Sequence, residues 1–391
     1  MSCKVKVFLK KDSISFLFSE RYFSSLDYEG RFLVIFTDGK TYRRGFDNTV
    51  LCSSVWEINF VLPQEAKTLV DRVYQDIRNT LENGNFELFF KGGSRDLFDY
   101  FVNKAKIIDY DFLDQDGNSF RKLFKPITVL PPDQYMSLYL PITEGCSYNK
   151  CSFCNLYKDR VFRIKKIDEV RSFTKEVINF LGASLLTRRG VFLGEGNVFV
   201  EKTDTLIQSI EVIKEVLISS KYFNFDLNFF GFMDTFHTKK TFDELVLLKD
   251  SNVKRVYIGL ETGDDFLLSN VLLKPSSSND VLNVVNMIKE VGINVGLIIM
   301  VGIGGKEFKD RHFENTVKLI NLLNLSEGDI IYISPFVEYN HLEYYKIVRE
   351  MGLTRMTNDE INKEVIRFKA ELSRLKNVRV PIYRVDKFLY T

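Results

Sequence analysis

The stretch MSLYLPITEGCSYNKCSFC, residues 136–154, decides how the chain is read. Its first part, residues 136–141, is short and apolar, the pattern of a buried strand. Its second part places Cys146, Cys151 and Cys154 on the loop leaving that strand, spaced C-x4-C-x2-C. Thiolates are soft ligands that suit iron–sulfur clusters, zinc and copper(I). Closed sites usually take four ligands, and three leave a position open, as reactive metal centres do. The two other cysteines, Cys3 and Cys52, have no partner at ligand spacing. The chain has 3 histidines, His237, His312 and His341, none near the triplet in sequence. A zinc site completed by a distant histidine or aspartate is the alternative.

Downstream of the cysteines, helical stretches alternate with strands. Residues 168–181, 203–219, 241–249, 277–291 and 311–323 read as helices. Residues 190–193, 225–230, 253–260, 295–301 and 330–334 read as strands between and after them. Counting the strand before the cysteines, this rhythm predicts six parallel strands with crossover helices, as a doubly wound sheet or a partial (β/α)6 barrel. In either fold the binding crevice lies at the C-terminal ends of the strands, where the cysteine loop begins.

Working outward, Pro131-Pro132 is a breaker pair and marks a seam. Residues 131–345 form the expected core barrel. Residues 1–130 form a β-rich α+β region, with strands over 1–60, a hairpin at Asp38-Gly39 and a helix over 64–82 that stops at Asn83-Gly84. Residues 346–391 are a C-terminal extension, with a helix over 358–375 and a short strand over 378–384.

Composition excludes several classes. The net charge of +2 argues against a broad nucleic-acid-gripping surface, while leaving room for a local patch. Hydrophobic residues at 45% and charged residues at 27% describe a globular chain. Neither a signal peptide nor an apolar run of roughly 18 residues is present, so a cytoplasmic protein without a membrane span is expected. The 35 phenylalanines read as core residues.

A cysteine triplet after strand one of a six-fold β/α chain resembles the radical SAM superfamily. The text around it, LPPDQY (130–135), TEGCSYNKCSFC (143–154) and YKDRVFRIKK (157–166), resembles a poorly characterised branch of that superfamily. The superfamily's commonest spacing is C-x3-C-x2-C, and this chain has one more residue in the first gap. The likeness runs from about Gly30 to Glu343. It implies a [4Fe-4S] cluster on Cys146, Cys151 and Cys154, with S-adenosylmethionine (SAM) on the fourth iron. It further implies reductive cleavage of SAM to a 5′-deoxyadenosyl radical that takes hydrogen from an unidentified substrate, fed by a reductant such as flavodoxin or ferredoxin.

The resemblance also implies SAM-binding positions. Phe153 would pack near the adenine. Gly194, Glu195 and Gly196 resemble the Gly-Gly-Glu motif that receives the SAM amino group, with the acid between the glycines. Asn228 on strand three, Glu261 at the end of strand four and Gly302 after strand five would face SAM. His312 reads first as a capping or core histidine. Arg160, Arg163, Lys165 and Lys166 form a basic cluster read as a solvated face or a dock for an acidic electron donor. Residues 334–338 are a candidate pocket edge. The loop after strand five lacks a P-loop ending, and no cobalamin-type segment or second cysteine set is present. Two other readings stay open: a non-catalytic Fe–S or zinc binding module, and a peptide- or RNA-modifying enzyme with the N-terminal region as its recognition module.

Overall fold

The computed structural model describes residues 5–20, 22–55, 57–237, 240–337 and 343–391. Cys3, Glu338 and His341 lie outside the described residues. Seven strands open the chain: β1 (Val5–Lys10), β2 (Ile14–Ser19), β3 (Tyr22–Leu26), β4 (Phe32–Thr37), β5 (Lys40–Arg44), β6 (Val50–Ser53) and β7 (Ile58–Phe60). They form an antiparallel meander. Asp38 and Gly39 both have positive φ, 52° and 73°, in the two-residue turn between β4 and β5. Helix α1 (Pro63–Asn83) follows and stops at Gly84, whose φ of 62° provides the left-handed cap. Strand β8 (Phe86–Lys91) then returns to lie parallel to β1, giving the order β7-β6-β5-β4-β3-β2-β1-β8. Helices α2 (Arg95–Ala105) and α3 (Tyr110–Leu123) complete this region. One face of the sheet is apolar by alternation. Its Val7, Leu9, Phe16 and Ile35 share a core with Val70, Val73 and Ile77 of α1 and Phe98 and Phe101 of α2.

The second sheet is the expected parallel one. It comprises β9 (Leu138–Glu144), β11 (Val191–Gly194), β12 (Phe229–Phe232), β13 (Val253–Glu261), β14 (Asn294–Val301) and β15 (Ile330–Pro335), adjacent in chain order, with a short antiparallel β10 (Arg163–Ile164) outside β9. Crossover helices α4 (Ile167–Leu181), α5 (Thr203–Ile218), α6 (Phe242–Asp250), α7 (Ser278–Val291) and α8 (Lys309–Asn321) connect them. Helices α9 (Glu343–Glu350) and α10 (Asn358–Leu372) follow. The barrel does not close through its own strands, since β9 and β15 are not neighbours.

Two expected strands differ. The third barrel strand was expected over 225–230 and instead spans Phe229–Phe232. Phe225 serves the approach, stacked edge-on against Phe223 with ring centroids 5.0 Å apart. The expected strand over 378–384 forms only two bridges to β15, at Arg379 and Ile382. This segment nevertheless fills the gap in the barrel. Ile333 N donates to Pro381 O and Tyr383 N to Ile333 O, tying it to β15. On the other side Tyr383 Oη donates to Leu130 O, and Tyr390 Oη bonds both Tyr139 N and Ser137 O at β9.

The breaker pair leads into the barrel floor. Asp133 accepts from Tyr257 Oη at 2.7 Å and from Arg255 at 2.6 Å, and also bonds Tyr332. Gln134 adds a bond to Tyr257 Oη at 2.7 Å. The two sheets are joined by Arg31, which is buried between β3 and β4. Its guanidinium pairs with Asp116 at 2.7 Å and donates to Ser184 Oγ and to the carbonyls of Phe180 and Leu181 at the end of α4.

Candidate active site

At the C-terminal end of β9 the chain turns through Gly145, whose φ is 76°, into the cysteine loop. Asn149 takes a φ of 48° within the first cysteine gap, and its N–H points at Cys146 Sγ, 3.4 Å away. The left-handed asparagine thus absorbs part of the longer spacing, a conformation Asn tolerates. The loop is clasped from the strand-four side. Ser152 N and Oγ donate to Leu272 O and Val271 O, and Tyr148 Oη donates to Leu273 O at 2.7 Å.

The three cysteines line one cavity of about 250 Å³ at the barrel mouth, together with Phe153, Gly196 and Glu261. Phe153 also packs against a small apolar cluster that includes Leu267 and Met300. Gly196, with φ of 50°, runs so close to the cysteine loop that a Cβ there would meet Gly145 O at 2.6 Å and Cys146 Cα at 3.0 Å. Glu261 also has positive φ, 60°, which is uncommon outside glycine. Its carboxylate pairs at 3.1 Å with Lys274, whose ammonium also bonds Gly259 O. Burial opposes a charge on Lys274, but the Glu261 carboxylate and Cys151 outweigh it and hold the amine above its usual value.

Four expected contacts are placed differently. Glu195 does not face the cavity. Its carboxylate accepts from Gly145 N at 2.6 Å and pairs with Arg160 at 2.5 Å, so it fixes the turn into Cys146. Gly194 approaches Thr143, where a Cβ would lie 2.6 Å from Oγ1, so it serves strand packing. Asn228 precedes β12 and gives its carbonyl to Val191 N at the start of β11, the end of the sheet away from the cysteines. Gly302, at φ of 104°, faces Ile361 of α10; Ile298 and Met300 of β14 line the cavity instead. The basic cluster is a solvated face only in part: Arg163 and Lys166 are exposed, whereas Arg160 and Lys165 are buried. Arg160 is buried on Glu195 and Asp159, while Arg163 and Lys165 pair with Glu144. Burial works against the Glu144 carboxylate, but these cations and Lys125 hold it far below the usual carboxylate range. His312 is buried with Nδ1 2.7 Å from Thr262 Oγ1 and lies in the structural layer behind Glu261.

Lys274, Asp234, Tyr148 and Tyr383 also line the cavity, and no spacing or motif marks them. A lone lysine in Leu272-Leu273-Lys274-Pro275 was the available signal, since an isolated cation in an apolar run needs a buried partner.

The donor set fits an iron–sulfur cluster. Among the described residues no three of His, Cys, Asp and Glu converge on a single-ion site. The three thiols nevertheless face one cavity, as they would to hold a cluster that takes one thiolate per iron. Burial pushes the Cys151 thiol up to about 12, against the pull of Lys274, and raises Cys154 as well. Binding a cluster through the thiolates of Cys151 and Cys154 would therefore release protons.

Residues 140–320 match the family model for the radical SAM superfamily. The chain carries a radical SAM domain. It is an enzyme domain whose family cofactors are a [4Fe-4S] cluster and SAM. Similar solved structures include coproporphyrinogen III oxidase of Escherichia coli, described as a radical SAM enzyme, at 13% identity over 61% of this chain and 52% of that one, with TM-score 0.45. They also include the radical SAM methyltransferase TsrM of Kitasatospora setae, at 13% identity over 59% and 44%, with TM-score 0.40. SuiB of Streptococcus suis bound to SAM matches at 10% identity over 89% and 72%, with TM-score 0.44. The chain spans about half the length of the first two. No curated protein matches it in sequence. Among the described residues no helix is long and apolar enough to cross a membrane.

Proposed function

We propose that this radical SAM protein binds a [4Fe-4S] cluster through Cys146, Cys151 and Cys154 and cleaves SAM reductively to abstract hydrogen from a substrate. One observation carries the reading: three thiols spaced along one loop line a single cavity with a buried Lys274–Glu261 pair opposite. When bound, the cofactors supply the 5′-deoxyadenosyl radical, and the protein supplies position and dryness. Gly145 and Gly196 let strand and loop approach closely, and Glu195 with Arg160 holds that approach. Phe153, Met233 and Met300 give the cavity an apolar lining suited to an adenine. Lys274 and Glu261 present one charge of each sign, suited to the two ends of an amino acid group.

A cytoplasmic setting and a flavodoxin- or ferredoxin-type reductant belong to this proposal. With Arg160 and Lys165 committed to internal acids, only Arg163 and Lys166 of the basic cluster remain exposed to meet such a reductant. The test is anaerobic reconstitution with iron and sulfide, then SAM with dithionite. Iron–sulfur absorbance and 5′-deoxyadenosine are expected. Both should vanish when Cys146, Cys151 and Cys154 become alanine and persist in Cys52→Ala. Loss of neither in the triple variant would sink the proposal.

A further inference from the structure

The eight-stranded sheet has two faces, and the second is covered only in part: Ser15, Ser25 and Leu51 on it are buried, while the rings beside them stay half-exposed. The face opposite the α1–α2 core carries two stacked phenylalanine pairs. Phe8 of β1 lies against Phe89 of β8, with centroids 5.1 Å apart, and Phe23 of β3 against Phe36 of β4, at 5.6 Å. Register joins them on one surface. Lys6, Leu17, Phe23, Phe36, Thr41 and Ser53 are successive cross-strand partners, and Phe8 stands two residues from Lys6 on the same face. All four rings are half-buried, and none packs against the hydrophobic cores.

Charge on this face is one-sided. Lys6, Lys10 and Lys91 flank the Phe8–Phe89 pair, and Arg43 lies across from Val34 on the other side of the face. All four are exposed, and among the described residues none makes an ion pair. Glu87, beside Lys6, is the one acid in these strand positions. The chain's net charge of +2 conceals this local surplus. A second copy of the chain would set these cations against each other. A strand-adding peptide would use a sheet edge rather than its face. Half-exposed rings on an open sheet, with cations along their flank, match the platform on which unstacked bases lie while phosphates meet lysines. Thr41 and Ser53, in the row of Phe36, add hydroxyls that can bond a ribose 2′-hydroxyl.

We propose that this face binds single-stranded RNA. The claim stands apart from the cluster chemistry and uses residues of the first sheet alone.

The test is fluorescence anisotropy of the full chain with a labelled single-stranded RNA of about 15 nucleotides. Binding should weaken steeply between about 50 and 200 mM salt. Phe23→Ala with Phe36→Ala should weaken it about tenfold or more, and Lys6→Glu with Lys10→Glu and Lys91→Glu should flatten the salt dependence. Unchanged circular dichroism and melting of the variants keep those losses attributable to the face. No binding, or binding indifferent to both variants, overturns the proposal. So does equal binding of single-stranded DNA or polyglutamate, or a dimer in sedimentation that the phenylalanine variant dissolves.

Discussion

At the scale of residues, Glu195 shows how a carboxylate can serve a metal loop without touching ligand. Both of its oxygens are committed, one to Gly145 N and one to Arg160. Removing one partner of a buried pair leaves the other charge uncompensated, at a cost of about 3–5 kcal/mol. Glu195→Ala should therefore lower the urea midpoint and reduce iron bound per chain after reconstitution. Glu195→Gln, which can still accept from Gly145, should lose less iron. Equal iron in Glu195→Ala and wild type would refute a role in holding the loop. The motif was legible as a close approach to the cysteines, because glycines flank the acid. Its direction was not, because Arg160 sits 35 residues away in sequence and only the fold brings it back.

His312 gives a pH signature. Burial holds its imidazole down to about 4, against the pull of Asp264, whereas the unfolded side chain titrates near 6.5. The unfolded chain then binds more protons between those values. Stability from this site is whole above pH 6.5 and is lost as pH falls towards 4, by about 3 kcal/mol at most. Urea midpoints measured across that interval should show the decline, and His312→Asn should flatten it.

At the scale of elements, the C-terminal segment after α10 acts as a seventh stave. It is bonded to β15 on one side and to β9 on the other without forming a regular ladder. Tyr390→Phe removes the acceptor for Tyr139 N, a buried donor, and should cost about 1–3 kcal/mol. Hydrogen exchange should then speed up at Tyr139 while β12 and β13 stay protected. Unchanged exchange at Tyr139 would show that the segment does not brace the edge. The barrel helices were legible because their apolar periodicity is long and their caps are marked, as with Thr241 before α6 and Ser277 before α7. Strand three was not, because 223–229 alternates apolar and polar residues as a strand would, yet only its end enters the ladder at Phe229–Phe232. That later start, four residues on, is what placed Asn228 before the strand and away from the mouth.

At the scale of the whole molecule, Arg31 couples the two sheets. It joins Asp116 of α3 to carbonyls at the end of α4, and no local pattern announces a contact across 150 residues. Arg31→Met leaves Asp27 and Asp116 buried with less compensation. It should split one urea transition into two, read by circular dichroism and by limited proteolysis near residue 125. A single transition at the wild-type midpoint would contradict the coupling. The N-terminal hairpins were legible in outline, yet β8 returning parallel to β1 was not, since parallel pairing depends on contacts far apart in sequence. One last consequence belongs to the floor built on Asp133. With Tyr257, Tyr332 and Arg255 bonded there and Tyr383 walling the side, the barrel is a cul-de-sac. Molecules that share it must leave in the reverse of the order in which they arrived, so the geometry itself queues the traffic and the deepest guest is the last to go.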